Sequence, residues 1–564
     1  MSKKDKAQIK SSVSSKNPAA RTAVQLTLLD RLNNWFEKND KKVFYTLLFL
    51  STLFSLLLFD SKVSDGGDDS SYIERAWSFI HEGKFPYFQG PGYPLALSFF
   101  VKMFGLNVIA LKFFSVACQF GFVWVTYLTF RKRIPFVVLF ALISFISFNN
   151  FIQYYASQTF TESFFLFLQS ICLYVTFKII DAINNDSTLI KGFQENYGKW
   201  LLFGFMFVLL AISKSIGFVA VGGVVLYFLF TRNYKQIVYA ILMFLAFRFL
   251  YQIITTAEFG ANTSNQLEMM LRKQLYKPQG GHEDFSGMID RFFNNFDTYI
   301  SLHIYRILNP VYKHDYAITD IVPPLAYITT VVLAVFTFLS YKKNKFIFFS
   351  SIYLISLCGG IFLGVQAQNM QDRLIIIAMP LIFLVLFYGM YELVKKYSML
   401  QTVFILFASI MLLVTIGKST VLAKQNATAL KKNLGGDVYY GFTPDWENFL
   451  KMSKYCADSL PDSVNVLSRK PSMSFIYGNG KKFIGQWDSP ENPNADSVLM
   501  GWQKQNVKYV ILPNLRMNPK KNNGKIINNI HRMILPVYQK YRDKIRLVKT
   551  IGTIEKCELY EIIY

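Results

Sequence analysis

Lys41-Lys42-Val43-Phe44-Tyr45-Thr46-Leu47-Leu48-Phe49-Leu50-Ser51-Thr52-Leu53-Phe54-Ser55-Leu56-Leu57-Leu58-Phe59-Asp60 reads as two cations, an uncharged apolar run and then a carboxylate. A helix needs about twenty predominantly apolar residues to cross the hydrocarbon of a bilayer, so this run is a candidate first span. Lys and Arg collect on the cytoplasmic side of such spans. Lys38, Lys41 and Lys42 therefore place residues 1–42 inside as a cytoplasmic tail, and Asp60 outside. Every later span must flip the side, so this assignment can be checked along the whole chain.

The check holds at each step. A polar loop, 60–106, contains Gly66, Gly67, Asp68 and Asp69, and the span after it ends inside at Arg131-Lys132-Arg133. Residues 134–148 lead out and 164–180 return to Lys191 and Lys199. Residues 200–212 lead out, 216–230 return to Arg232 and Lys235, and 237–254 lead out again. After a long polar segment, 255–321, residues 323–339 return to Lys342, Lys343 and Lys345. Residues 346–365 lead out, 374–393 return to Lys395 and Lys396, and 400–416 exit. The fold expected is an α-helical polytopic membrane protein with about eleven transmembrane helices over 43–417. Its narrowest separator is Ser213-Lys214-Ser215; were that stretch one long helix, three Lys-rich connectors would face the wrong side.

Composition agrees. Of 564 residues 52% are hydrophobic and 17% aromatic, while only 17% are charged, against about 25% in ordinary soluble domains. The net charge of +24 sits in short clusters between apolar runs, which is charge at membrane faces and not a nucleic-acid stripe. Residues 1–39 are too long and polar for the start of a cleaved signal. They read as a disordered tail leading into a short amphipathic stretch, 24–36. Cys118, Cys172 and Cys358 fall in apolar runs as small hydrophobes. Cys456 and Cys557 share the C-terminal region, with no spacing that argues for a disulfide, and no CxxC or HExxH pattern occurs.

From about Lys418 the spanning runs stop. Trp446, Phe449, Leu450, Ser453 and Ala457 fit one helical face. Residues 464–467 and 508–512 read as buried strands and 545–564 as a hairpin. Residues 418–564 thus form a small α/β domain, which lies outside when the span count is odd.

The loop after the first span carries Asp68-Asp69-Ser70-Ser71-Tyr72-Ile73-Glu74, then a helical face of Tyr72, Ala76, Phe79 and Ile80 with Gly83 as its stop. An Asp pair before a helix is ordinarily a cap, and Ser71 with Glu74 matches a capping box. The wider pattern points elsewhere. Gly83-Lys84-Phe85-Pro86 and Gly90-Pro91-Gly92-Tyr93-Pro94 follow, directly before an apolar helix.

An acidic pair, a Tyr three residues on and a Gly/Pro-rich turn resemble the GT-C superfamily of membrane glycosyltransferases. The nearer likeness is to its branch of protein O-mannosyltransferases and lipid A aminoarabinose transferases. Thr161-Glu162-Ser163 resembles that branch's TEP-type string, with Ser163 for Pro. Lys214 before Gly217 resembles its basic residue and Gly turn, and Arg373 with Pro380 its outside Arg opening a helix with Pro. Ser468-Arg469-Lys470-Pro471 is similar to the outside domain of bacterial members. One departure concerns Asp69, where much of the family has Glu.

The resemblance implies an inverting transfer of a sugar from a polyprenyl-phosphate donor to an acceptor hydroxyl, in a bacterial inner membrane with the C-terminal domain periplasmic or extracellular. Such chemistry needs a base and stabilisation of the departing phosphate. Asp68 is the expected base, and Asp69 binds acceptor or caps the helix. Lys214 and Arg373 are the expected phosphate ligands, with Tyr72, Glu162 and His303 also substrate-binding. Snorkelling to headgroups is the ordinary reading of the two cations. Arg272, Lys273 and His303 are weaker, since solvation is the default in a polar loop. No metal is required, although Asp68, Asp69 and Glu162 could supply oxygens to a divalent cation. The sugar (a hexose or pentose) and the acceptor (lipid, polysaccharide or protein) are not legible. The rival from another class is a lipid or glycolipid transporter or flippase, which would normally show internal repeats that are absent here. A scaffold protein would leave the first loop unexplained.

Overall fold

A computed structural model describes residues 26–88, 90–184, 187–260, 268, 270–274, 280–308, 321–366, 371–486, 493–516, 526 and 528–564. The first helix, α1 (Leu28–Lys38), starts at Thr27, whose hydroxyl accepts from the Asp30 N–H while the Asp30 carboxylate reaches back. This capping box closes two of the N–H groups a helix start leaves open. Leu29 is buried, and Leu32 and Phe36 pack beside it, so the expected amphipathic stretch contains a helix whose apolar face lies against the bundle. Most of the expected tail lies outside the described residues.

All eleven expected spans are helical. They are α2 (Asp40–Leu57), α5 (Val108–Phe130), α6 (Phe136–Phe148), α8 (Thr161–Asp181), α9 (Leu189–Ser213), α10 (Gly217–Phe230) and α11 (Tyr234–Phe259), followed by Pro323–Tyr341, Lys345–Gly364, Met379–Val394 and Ser398–Leu434. Among the described residues seven of these are long and apolar enough to cross a membrane singly. An eighth arises if α6 is joined across its 58° bend to α7 (Asn150–Ala156). Helix α10 and Met379–Val394 are apolar but shorter, and α2 spends its first turn on Asp40, Lys41 and Lys42. The narrow separator is a true break: α9 ends at Ser213 and α10 begins at Gly217. A Cβ on Gly217 would lie 2.5 Å from the Leu210 carbonyl oxygen, so the chain folds back on itself only because that residue has none.

Two expectations change. The segment expected as a polar loop, 255–321, contains a helix, Phe285–Thr298, that runs into a π-helical stretch, Tyr299–His303, and a last turn, Ile304–Leu308. Buried Asn295 donates to the carbonyls of Phe362 and Val365, each at 2.7 Å, docking this helix on the end of Lys345–Gly364. Asn295 thus satisfies helix-end carbonyls, which a count of charges along the chain does not see. The last membrane helix also continues beyond 417 to Leu434. Residues 418–434 hold Ala, Leu, Lys and Gln with no Pro or Gly, so nothing stops the helix until Gly435-Gly436. The helices and strands of the sheet domain all follow that pair, whereas the expected boundary at 418 falls within the helix.

That domain is a five-stranded sheet of β1 (Asn465–Ser468), β2 (Ile484–Gly485), β3 (Val507–Pro513), β4 (Ile545–Ile551) and β5 (Cys557–Ile562), in the order β2-β1-β3-β5-β4. β1 runs parallel to β2 and β3, whereas β5 is antiparallel to β3 and β4. The helix Pro444–Ser459 buries Trp446, Phe449, Leu450 and Ser453. Cys456 and Cys557 lie in the same core as free thiols.

The sheet domain does not hang free. Helix α3 (Asp68–Glu82) lies between α4 (Gly92–Phe104) and the domain's helix Pro471–Tyr477. Tyr72, Ile73, Ala76, Tyr93 and Leu97 share one apolar core with Trp446, Phe449, Met473 and Phe475. Each large side chain buried there contributes roughly 1.5–3 kcal/mol, so the domain and the first loop are held together as one body.

Candidate functional site

Asp68 and Asp69 open α3 side by side, yet they face different surroundings. Gly67 caps the helix at φ +80°, and it offers no side chain to do so. Ser71 and Glu74 lie inside the helix, so the capping box that their spacing matches does not form. Asp69 turns back instead. It is fully buried and accepts hydrogen bonds from the Ser64 N–H at 2.7 Å, the Ser64 hydroxyl at 3.0 Å and the Ser70 N–H at 2.8 Å. Burial pushes its carboxyl up to about 6, with Lys112 and the Ser64 bonds pulling the other way. Asp69 therefore closes the loop onto the helix. Asp68 keeps 39% of its side chain exposed and pairs with Arg373 at 2.5 Å.

Arg373 enters on a short helix, Asp372–Ile376, with its guanidinium 5.2 Å above the Phe160 ring. Burial opposes its charge, but the carboxylates of Glu162 and Asp68 hold it firmly protonated. Glu162, 1% exposed in the first turn of α8, accepts from the Lys214 ammonium at 2.8 Å. Lys214 terminates α9 in an extended conformation. The turn behind it is gripped by the Gly/Pro-rich loop: a Cβ on Gly90, at φ +96°, would lie 2.8 Å from the Ser213 carbonyl oxygen. Tyr72 is buried beside the cluster, edge-on to Tyr93 and under the Arg75 guanidinium at 4.8 Å. Burial raises its phenol to about 12, so it stays protonated. Two carboxylates and two cations from four separate segments thus converge, each carboxylate matched by a cation.

His303, expected to be solvated, is 3% exposed on the π-helical stretch. Its Nδ1 is bonded to Asp372, the neighbour of Arg373. Arg272 pairs instead with Glu268 at 2.7 Å, and Lys273 contributes a backbone bond to Gly281. Among the described residues no group of three or more His, Cys, Asp or Glu side chains converges as a metal site. The oxygens of Asp69 are taken up by Ser64 and Ser70, and Asp68 and Glu162 each face a cation.

Two residues went unassigned in the sequence. Lys112, wholly buried, donates to the Asp60 carbonyl at 2.7 Å, to Gln158 Oε1 at 2.7 Å and to the Lys62 carbonyl, fixing the approach to Asp68. Its signal was available, since it is the one charge in Val108–Phe130. Lys470, from the sheet domain, donates to the Gly66 carbonyl at 2.7 Å. Burial, with Arg469 beside it, brings its ammonium down to about 8.

No family model matches the chain, and no curated protein matches it. Solved structures do. ArnT from Cupriavidus metallidurans bound to undecaprenyl phosphate superposes with a TM-score of 0.56 at 9% identity, over 92% of this chain and 97% of that one. The archaeal oligosaccharyltransferase AglB from Archaeoglobus fulgidus, in complex with an inhibitory peptide and a dolichol-phosphate, gives 0.51 at 12% identity over 85% and 70%. The oligosaccharyltransferase of the same organism tethered to an acceptor peptide gives 0.53 at 13% over 93% and 74%. With its apolar helices, its short helix after the first span and its C-terminal sheet domain, the chain has a GT-C-like membrane fold.

Proposed function

We propose that this protein is an integral-membrane glycosyltransferase that moves a sugar from a polyprenyl-phosphate donor to an acceptor hydroxyl, with inversion. The observation that carries the reading is the meeting of Asp68 with Arg373 and of Glu162 with Lys214 beside one helix start. The fold supports it, because the similar structures hold undecaprenyl phosphate in one case and a dolichol-phosphate in another.

In this reading the donor phosphate enters on Arg373 and Lys214. The guanidinium that now neutralises Asp68 is drawn to the phosphate, and Asp68 is released to accept the acceptor's proton. The activated oxygen attacks the anomeric carbon from the face opposite the phosphate, which leaves on the two cations. Base and phosphate ligand are thus kept paired until the donor arrives. Asp69 acts through Ser64 as a positioning residue, and the reaction needs no metal. The site lies on the non-cytoplasmic side, as the lysine clusters imply.

The test is to purify the protein in lipid nanodiscs with the lipid-linked sugars of its host and follow release of polyprenyl phosphate. Asp68→Asn that inserts normally and releases none is the expected result. Release at the normal rate would remove Asp68 as base.

A further inference from the structure

His303 is buried to 3% exposure, with Nδ1 committed to the Asp372 carboxylate. Its other ring nitrogen, Nε2, is buried and has no hydrogen-bond partner among the described residues. A buried polar nitrogen without a partner is rare in a folded protein, and it asks for one. Its position is informative, because Asp372 and Arg373 are consecutive at the start of one short helix. The carboxylate that holds His303 therefore belongs to the chain neighbour of the residue whose guanidinium holds Asp68. The histidine also stands on the five-residue π-helical stretch Tyr299–His303. Such turns re-aim a side chain and recur at functional sites.

We propose that His303, oriented by Asp372, is a catalytic residue that donates a proton from Nε2 to the departing phosphate. The inference rests on the glycosyltransferase reading above. The bond between the anomeric carbon and the phosphate oxygen breaks, and its electron pair stays on that oxygen. The Nε2 proton moves to the phosphate, which leaves as the polyprenyl phosphate monoanion. The acceptor oxygen forms the new bond and gives its proton to Asp68. His303 is then neutral and Asp68 protonated, and exchange with water resets both.

Carboxylate and imidazole are complementary here. With Asp372 taking the Nδ1 proton, Nε2 is the only ring atom able to reach a ligand. The Asp372 carboxylate balances the ring when it carries its second proton. Among the described residues the pair is also faced by Arg306, 3.9 Å from Asp372, and by Tyr299, whose ring lies 4.7 Å from the imidazole and whose hydroxyl accepts from the Gln371 N–H. None of the hydrogen bonds among the described residues occupies Nε2.

The probe is undecaprenyl phosphate, titrated into the full-length protein in nanodiscs. His303→Gln is expected to weaken binding about tenfold, the loss of one charge-assisted hydrogen bond. Asp372→Asn, which frees the ring to turn, is expected to reproduce that loss and serves if His303→Gln unfolds. Arg373→Ala and Lys214→Ala run beside them. If those two weaken binding while neither His303→Gln nor Asp372→Asn differs from wild type, His303 is not the donor. If all four bind like wild type, the lipid-phosphate reading falls with it.

Discussion

Asp68 and Arg373, 305 residues apart in the chain, meet at 2.5 Å in an ion pair that is half open on its acidic side. With 39% of Asp68 and 19% of Arg373 exposed, solvent screens the pair and its stabilising effect is within about 1 kcal/mol. Asp68→Asn should therefore leave thermal unfolding nearly unchanged while lowering transfer by at least about 10²-fold. Thermal melts with release assays on the same preparations check this. A large loss of stability would make the pair a structural element instead.

Lys214 and Glu162 form the deeper pair, with 18% and 2% of their side chains exposed. Lys214→Met removes the nearest partner of a buried carboxylate, which should cost about 3 kcal/mol. Lys214→Met combined with Glu162→Gln removes both charges and should recover most of that loss. Affinity for undecaprenyl phosphate should not recover, since the phosphate still lacks its cation. Recovery of both would assign the pair to folding alone.

How much of this was legible follows from what each feature depends on. The spans depend on local apolar length, so their existence is readable one segment at a time. The turn at Lys214 is readable because inside lysines must alternate with it. The inward fold of Asp69 onto Ser64 has no period and no motif, and only the tertiary placement of residue 64 reveals it. The burial of His303 likewise depends on Asn295 docking its helix on Phe362 and Val365. Lys112 was visible as a lone charge in an apolar run, but its three acceptors come from loops far along the chain.

Asp69 makes stability depend on pH in a predictable direction. Burial raises its carboxyl to about 6 in the folded protein, against about 3.9 in an unfolded chain. Below about pH 4 both states hold the proton. Between about 4 and 6 only the folded state does, so raising pH through that window lowers stability, by up to about 3 kcal/mol. Above about 6 the curve is level. Denaturant unfolding of wild type and Asp69→Asn across pH 4–7 checks it, with the variant expected to lose this slope. An unchanged slope would assign it to other groups.

Gly90 gives the sharpest test of how the first loop sets the Lys214 turn. Its φ of +96° disfavours any side chain, and an added Cβ would also lie 2.8 Å from the Ser213 carbonyl oxygen. Gly83, at φ +65° with nothing within 4 Å of an added Cβ, carries the backbone cost alone. Gly83→Ala should therefore lose about 1 kcal/mol. Gly90→Ala should lose more, about 1–3 kcal/mol, because the backbone at Ser213 must retreat. Since Lys214 follows directly, its ammonium moves with that retreat, and affinity for undecaprenyl phosphate should fall only in Gly90→Ala. Equal losses of stability with intact lipid binding in both variants would mean that the loop and the turn are merely neighbours. A selective loss would mean that the Gly/Pro turn places a phosphate ligand.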